Sequence, residues 1–331
     1  QIVRFLLVFF GISQKKCIFA VQKKYNTNKE GDMFMETILQ TTNLSRQFGK
    51  KMAVNNVNMT IHKGDIYGFI GKNGAGKTTF MRLVLGTAFP TKGEIKLFDG
   101  EPFDKARRKI GSLIEAPGLY KNCTAYENLK QFSLIYGGTD AEIKEILSLV
   151  GLADTGNKKA GKFSLGMRQR LGISIALLGN PEFLVLDEPV NGLDPAGMKE
   201  VRDLILKLNH EKNITILISS HLLDELSKIV TRYGIINDGM LIEEVTAAEL
   251  NERCQHKLIF TVDDVQKAAA IFAETIPAEQ IRIAGNQVIL SSHLEEAAEL
   301  NKRLVQQDVA VNSFWVHAEG LEQYFMKRIG G

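Results

Sequence analysis

Gly71-Lys72-Asn73-Gly74-Ala75-Gly76-Lys77-Thr78-Thr79 decides how this chain is read. The stretch fits the pattern G-x-x-x-x-G-K-[ST]. Asp65-Ile66-Tyr67-Gly68-Phe69-Ile70 before it reads as a buried strand, and Phe80-Met81-Arg82-Leu83-Val84-Leu85 after it as a helix. In that setting the glycines let successive backbone N–H groups turn inward around a phosphate. The helix N-terminus adds partial positive charge. Lys77 is placed to reach terminal phosphates, and the Thr78 hydroxyl to ligate Mg²⁺. The alternative is a glycine-rich turn that binds nothing; the flanking strand and helix weigh against it.

The chain has 331 residues, enough for one large domain and a small one. A net charge of +3, with no long basic run, argues against a nucleic-acid partner. Cys17, Cys123 and Cys254 are scattered without metal spacing, so neither a disulfide framework nor a zinc site is expected. The longest apolar run, around 2–12, falls short of the roughly 18–20 residues that span a bilayer.

Residues 1–34 read as a non-native or disordered leader. The first methionines are Met33 and Met35, just ahead of the first regular strand pattern. Lys29-Glu30-Gly31-Asp32 can be encoded by a purine-rich ribosome-binding stretch, so the segment reads as translated upstream DNA. A genuine flexible or membrane-touching arm is the alternative.

From residue 35 the pattern is α/β. Residues 37–41 and 53–61 alternate as half-buried strands, with Phe48-Gly49-Lys50 between them. Strands follow at 93–98 and 110–115, and residues 125–180 are mostly helical. Phe183-Leu184-Val185-Leu186-Asp187-Glu188 reads as a buried parallel strand whose acids emerge at the carboxyl edge, where α/β sheets place ligands. Asp194-Pro195 opens a helix, residues 214–220 form another buried strand ending at His221, and Asp238-Gly239 turns a hairpin. After a capping box at Thr246-Ala247-Ala248-Glu249, the strand and helix order is βαββαβ, then a final helix.

The motifs fall in a telling order: the glycine-rich loop, Ser164-Leu165-Gly166-Met167-Arg168-Gln169-Arg170, Asp187-Glu188, Asn191-Gly192-Leu193-Asp194, then His221. Together they resemble the ATP-binding cassette proteins, the nucleotide-binding subunits of ABC transporters. The resemblance covers about residues 36–245. It implies a P-loop NTPase cassette over 35–245, with an antiparallel β subdomain and a helical subdomain at about 116–180. A small α+β, ferredoxin-like accessory domain then occupies 246–331.

The resemblance also implies roles. Phe48 takes the place of the aromatic that stacks on adenine, although a loop aromatic packed on the core is the plainer reading. Gly71 to Thr79 is the Walker A loop. Asp187 holds Mg²⁺, with Thr78 and Glu115 as its companions. Glu188 is the catalytic base, His221 touches the γ-phosphate, and Lys77 stabilises phosphate charge. Ser164 and Gly166 complete the ATP site across a dimer, so a second copy of the chain is an expected partner, and Asp194 is a further nucleotide-binding residue. The signature departs from the commoner Ser-Gly-Gly-Gln at its first glycine and its glutamine.

Ile114-Glu115-Ala116-Pro117-Gly118-Leu119-Tyr120 carries a Glu where the family usually has Gln. An ionised carboxylate cannot donate a hydrogen bond. That Glu, with the Ala-Pro and aromatic that follow, looks like the bacitracin-resistance and lantibiotic-immunity exporters; neutral drift is the plainer reading. The resemblance implies ATP and Mg²⁺ as cofactors and an ATPase on the inner face of the membrane. It also implies a separately encoded permease docked between the helical insertion and Glu115. No direct contact with cargo is expected. An ion, lipid or drug as cargo, or a soluble cassette acting on ribosomes or DNA, stand as rival readings.

Overall fold

The computed structural model describes residues 36–254, 257–317 and 321–330; the expected leader over 1–34 lies outside the described residues. The first elements in chain order are β1 (Thr37–Phe48), β2 (Lys51–His62), β3 (Ile66–Ile70), α1 (Lys77–Leu85), β4 (Lys92–Leu97), α2 (Phe103–Arg108) and β5 (Ile110–Leu113). β1 and β2 form a hairpin around Gly49-Lys50, and with β4 they make an antiparallel sheet in the order β2-β1-β4. Both hairpin strands run longer than their alternation predicts. Register shifts interrupt the pairing, and Asn43 and Asn56 sit at φ 51° and 54°. Such bulges flip the phase of the alternation, which hides the strand continuity from a period-2 reading.

The helical region follows as α3 (Ala125–Tyr136), α4 (Asp140–Leu149) and α5 (Leu165–Ala176). Thr124 with Glu127 caps α3, and Thr139 with Glu142 caps α4, each as a reciprocal capping box. The signature helix begins at Leu165. Ser164 caps it by accepting the N–H of Met167 at 3.2 Å.

Next come β6 (Phe183–Asp187), α6 (Pro195–Lys212), β7 (Thr215–Ser220), α7 (Leu223–Leu226), β8 (Arg232–Asn237) and β9 (Met240–Thr246). Every residue of β3, β6 and β7 is buried, as expected of strands covered on both faces. The large sheet runs β5-β6-β7-β3-β8-β9 and is parallel except for β9. Register aligns Asp187 with Ser219, and Ser219 with Phe69. The acids that end β6, the serines that end β7 and the loop after β3 therefore emerge side by side.

The remaining elements are α8 (Ala247–Arg253), β10 (Lys257–Val262), α9 (Val265–Ala273), β11 (Ile281–Ala284), β12 (Gln287–Leu290), α10 (Ala297–Gln306), β13 (Val311–His317) and α11 (Leu321–Gly330). Their sheet runs β11-β12-β10-β13, antiparallel throughout, which is the ferredoxin-like order that the βαββαβ pattern implies. Asp308 at φ 55° turns the chain out of α10 before the last strand begins. This sheet has its own core, including Phe260, Phe272 and Leu304.

α11 packs elsewhere. Tyr324 and Phe325 belong to the core of the large sheet, with Phe325 6.0 Å from the Tyr233 ring. Glu243 of β9 accepts from the Tyr324 hydroxyl at 2.8 Å and pairs with Arg253 and Arg328. Phe325 is almost fully buried. Phe325→Ala is therefore expected to cost about 3–5 kcal/mol, read as a lowered thermal unfolding midpoint.

Candidate active site

The loop after β3 is held from behind by the hairpin of β8 and β9. Gly239 donates to Ala75 O at 2.9 Å, and its own carbonyl accepts from Asn55 at 2.8 Å. The glycines are sterically required at two points. A methyl at Gly71 would sit 2.4 Å from Ile236 O, and one at Gly76 would sit 2.3 Å from Ala53 O, with Gly76 at φ 109°. Gly76 precedes α1 directly, so the first N–H groups of α1 face out of the loop. Lys72 and Asn73 are exposed, whereas Ala75 and Lys77 are buried.

Lys77 bends back over the loop. Its Nζ donates to Gly71 O at 2.6 Å and to Lys72 O at 3.3 Å, and lies 3.3 Å from Glu188 Oε1. His221 Nδ1 lies 2.7 Å from the other Glu188 oxygen. Thr78 Oγ1 donates to Asp187 Oδ2 at 2.7 Å, while Ser219 Oγ donates to Asp187 Oδ1 at 2.5 Å. Glu188 follows its strand at φ 51°, a left-handed turn that brings its carboxylate round to Lys77 and His221. The structure thus gathers Lys77, Thr78, Asp187, Glu188 and His221 into one bonded cluster.

The other expected site residues stand apart from it. Glu115, at φ 61°, pairs with Arg82 of α1 at 2.6 Å on an exposed surface. Phe48 is half exposed at the end of β1, with the Arg46 guanidinium 4.5 Å from its ring centre. Ser164 is engaged in capping α5, and Asp194 caps α6 by accepting from Gly197 at 3.3 Å. Gly166 packs against α6, where a methyl would meet Gly197 Cα at 3.6 Å. Thr79 is the third residue of α1. Ser219 was visible in the sequence only as the polar end of an apolar strand; its bond to Asp187 depends on strand register.

Chemically, a phosphate chain with a hard divalent cation suits this donor set. Glu188 Oε1 is buried and makes no hydrogen bond, so the site keeps unspent acceptor capacity. Thr78 and Asp187 offer adjacent hard oxygens. Among the described residues no group of three or more His, Cys, Asp or Glu side chains could hold a metal alone. A cation here would take its other ligands from phosphate oxygens and water.

The bacitracin transport ATP-binding protein BcrA of Bacillus licheniformis is 45% identical to this chain over 303 residues, which span 90% of this chain and 99% of that protein. The ABC transporter family model matches residues 54–191, from β2 past the acids of β6. The chain belongs to the ABC transporter ATP-binding family. It is an ABC ATPase, binding and hydrolysing ATP. Its fold is the P-loop cassette fold, as the sequence implied.

Other relatives of the ABC chain agree. The lantibiotic transport ATP-binding protein SrtF of Streptococcus pyogenes is 44% identical over 208 residues, covering 62% of this chain and 90% of that protein. Among solved structures, the cassette MJ0796 in a dimeric post-hydrolysis state bound to ADP and Pi superposes with a TM-score of 0.56 at 26% identity. That match covers 63% of this chain and 99% of that one.

The exposed Arg82–Glu115 pair is screened by water. Glu115→Gln is expected to change stability by less than about 1 kcal/mol and to leave ATP hydrolysis measurable. Denaturant unfolding and phosphate release check the two halves.

Proposed function

We propose that this ATPase powers the export of peptide antibiotics of the bacitracin or lantibiotic type through a separately encoded permease. The observation that carries the cargo is similarity to BcrA along 99% of that protein's length. Glu115 in its Ala-Pro setting supports the same reading.

In the proposed mechanism Lys77 neutralises charge on the terminal phosphates of ATP. Glu188 orients the attacking water and accepts its proton, and His221 keeps the Glu188 carboxylate aimed while facing the γ-phosphate. Thr78 and Asp187 would hold Mg²⁺, whose charge offsets that developing on the phosphate oxygens. Lys77 and Glu188 lie 3.3 Å apart, so the ammonium that meets the phosphates and the carboxylate that orients water share one end of the site. Phe48 stacks on adenine once Arg46 gives way. Ser164 and Gly166 face the site of a second copy, so that two chains close on ATP, and Asp194 is a further contact to the nucleotide. Glu115, paired with Arg82 in this structure, would serve as a companion of the cation.

The permease would dock in a groove beside Glu115, lined by Leu85, Ile114, Pro117, Phe132, Tyr136 and Ile175. Leu134 and Ile135 of α3 are exposed nearby at 78% and 76%, unusual for aliphatic side chains without a partner. No helix among the described residues is long and apolar enough to cross a membrane. We place the chain on the inner face of the cell membrane through this docking. We divide it into an ATP-binding domain at 35–245 and an accessory domain at 246–331, whose last helix returns to the cassette.

Two experiments test this reading. Glu188→Gln is expected to bind ATP with near-native affinity, to lose hydrolysis by at least about 100-fold, and to dimerise with ATP. A Glu188→Gln chain that stays monomeric with ATP and permease would count against the shared site. Expression with the neighbouring permease in a sensitive Gram-positive host is expected to raise resistance to bacitracin or a lantibiotic, and Glu188→Gln to abolish the gain. An assembled, ATP-hydrolysing complex that gives no protection would move the cargo to another class.

A further inference from the structure

Ser219 is fully buried at the carboxyl end of β7, directly across from Asp187. Its neighbours Ile216, Leu217 and Ile218 are buried and apolar, so burial alone would be met by a valine. A hydroxyl placed there costs free energy unless it is bonded. It is bonded twice, and both bonds go to the acid pair: the proton to Asp187 Oδ1 at 2.5 Å, and one lone pair to the N–H of Glu188 at 2.9 Å. The Ser219 carbonyl takes a longer share of the same N–H at 3.2 Å.

One side chain therefore fixes one acid by its carboxylate and the other by its backbone. The backbone contact bears on a left-handed residue, Glu188 at φ 51°, a conformation that non-glycine residues adopt only when their surroundings enforce it. Thr78 holds the opposite oxygen of Asp187. When the Thr78 hydroxyl turns to a cation, Ser219 keeps its grip on Oδ1, so the carboxylate plane does not rotate.

We propose that Ser219 is a positioning residue for the reaction: it aims Asp187 at the divalent cation and holds the backbone turn from which Glu188 reaches Lys77 and His221. The proposal rests on the reading of Asp187 as cation-binding and Glu188 as base.

The test is a Mn²⁺ titration of the full chain with ADP, followed by electron paramagnetic resonance, beside metal-free ADP affinity and the kcat and KM for ATP. Removing a partner that orients a metal ligand costs about 10–100-fold in metal affinity or activity. Ser219→Ala is therefore expected to raise the half-saturating Mn²⁺ concentration and lower kcat by about tenfold each, with KM and metal-free ADP affinity within about twofold. Ser219→Cys keeps nearly the same volume with a weaker donor, and gives a smaller shift in the same direction if the alanine variant does not fold. Unchanged Mn²⁺ affinity in a folded variant overturns the proposal. So does a parallel loss of metal-free ADP affinity, which marks a general structural defect. A wild-type chain that takes up no Mn²⁺ with ADP overturns the cation reading, and this proposal with it.

Discussion

A buried ammonium has to be answered by negative charge or oxygen lone pairs, and the site is arranged around that demand. Lys77 is 5% exposed and meets two loop carbonyls and the Glu188 carboxylate. Its charge-assisted bonds to the two carbonyls are strengthened in a space with little water. They also fix the loop, since the same carbonyls cannot turn outward while they hold Nζ. Glu188 is tied to His221 through its other oxygen, so the loop, the end of β6 and the segment after β7 respond to one ionic contact.

That contact exists because of sheet topology. β3, β7 and β6 are neighbours in parallel register, and they finish level with one another. Parallel strands need crossover connections, so residues more than a hundred positions apart arrive at one edge. Thr78 and Asp187 are separated by 109 positions and bonded at 2.7 Å. The hairpin after β8 closes the arrangement from the other side, with Gly239 tying the loop to β2.

The residues legible in sequence were those whose chemistry is local. The glycine loop, the two acids after an apolar strand and the Asp-Gly turn each need only their immediate neighbours to be recognised. What could not be read depends on register or on left-handed backbone. Ser219 looks like any polar strand end until β6 is laid beside it. Glu115 reaches across 33 positions to Arg82, from a φ of 61° that its sequence does not announce. The two hairpin strands were underestimated because bulges break their alternation. The order of the last four strands was readable because βαββαβ leaves few handed ways to form one sheet.

The return of the final helix alters what the four-stranded sheet is in mechanical terms. It hangs from the larger body at two places, through α8 on one side and α11 on the other, and Glu243 joins Arg253 and Arg328 across the gap between them. A body held by a single linker can swing through a wide cone, whereas one held at two points can only tilt about the line that joins them. Of the two attachments, α11 packs against the short helix that follows His221, which ties it to the segment beside the site.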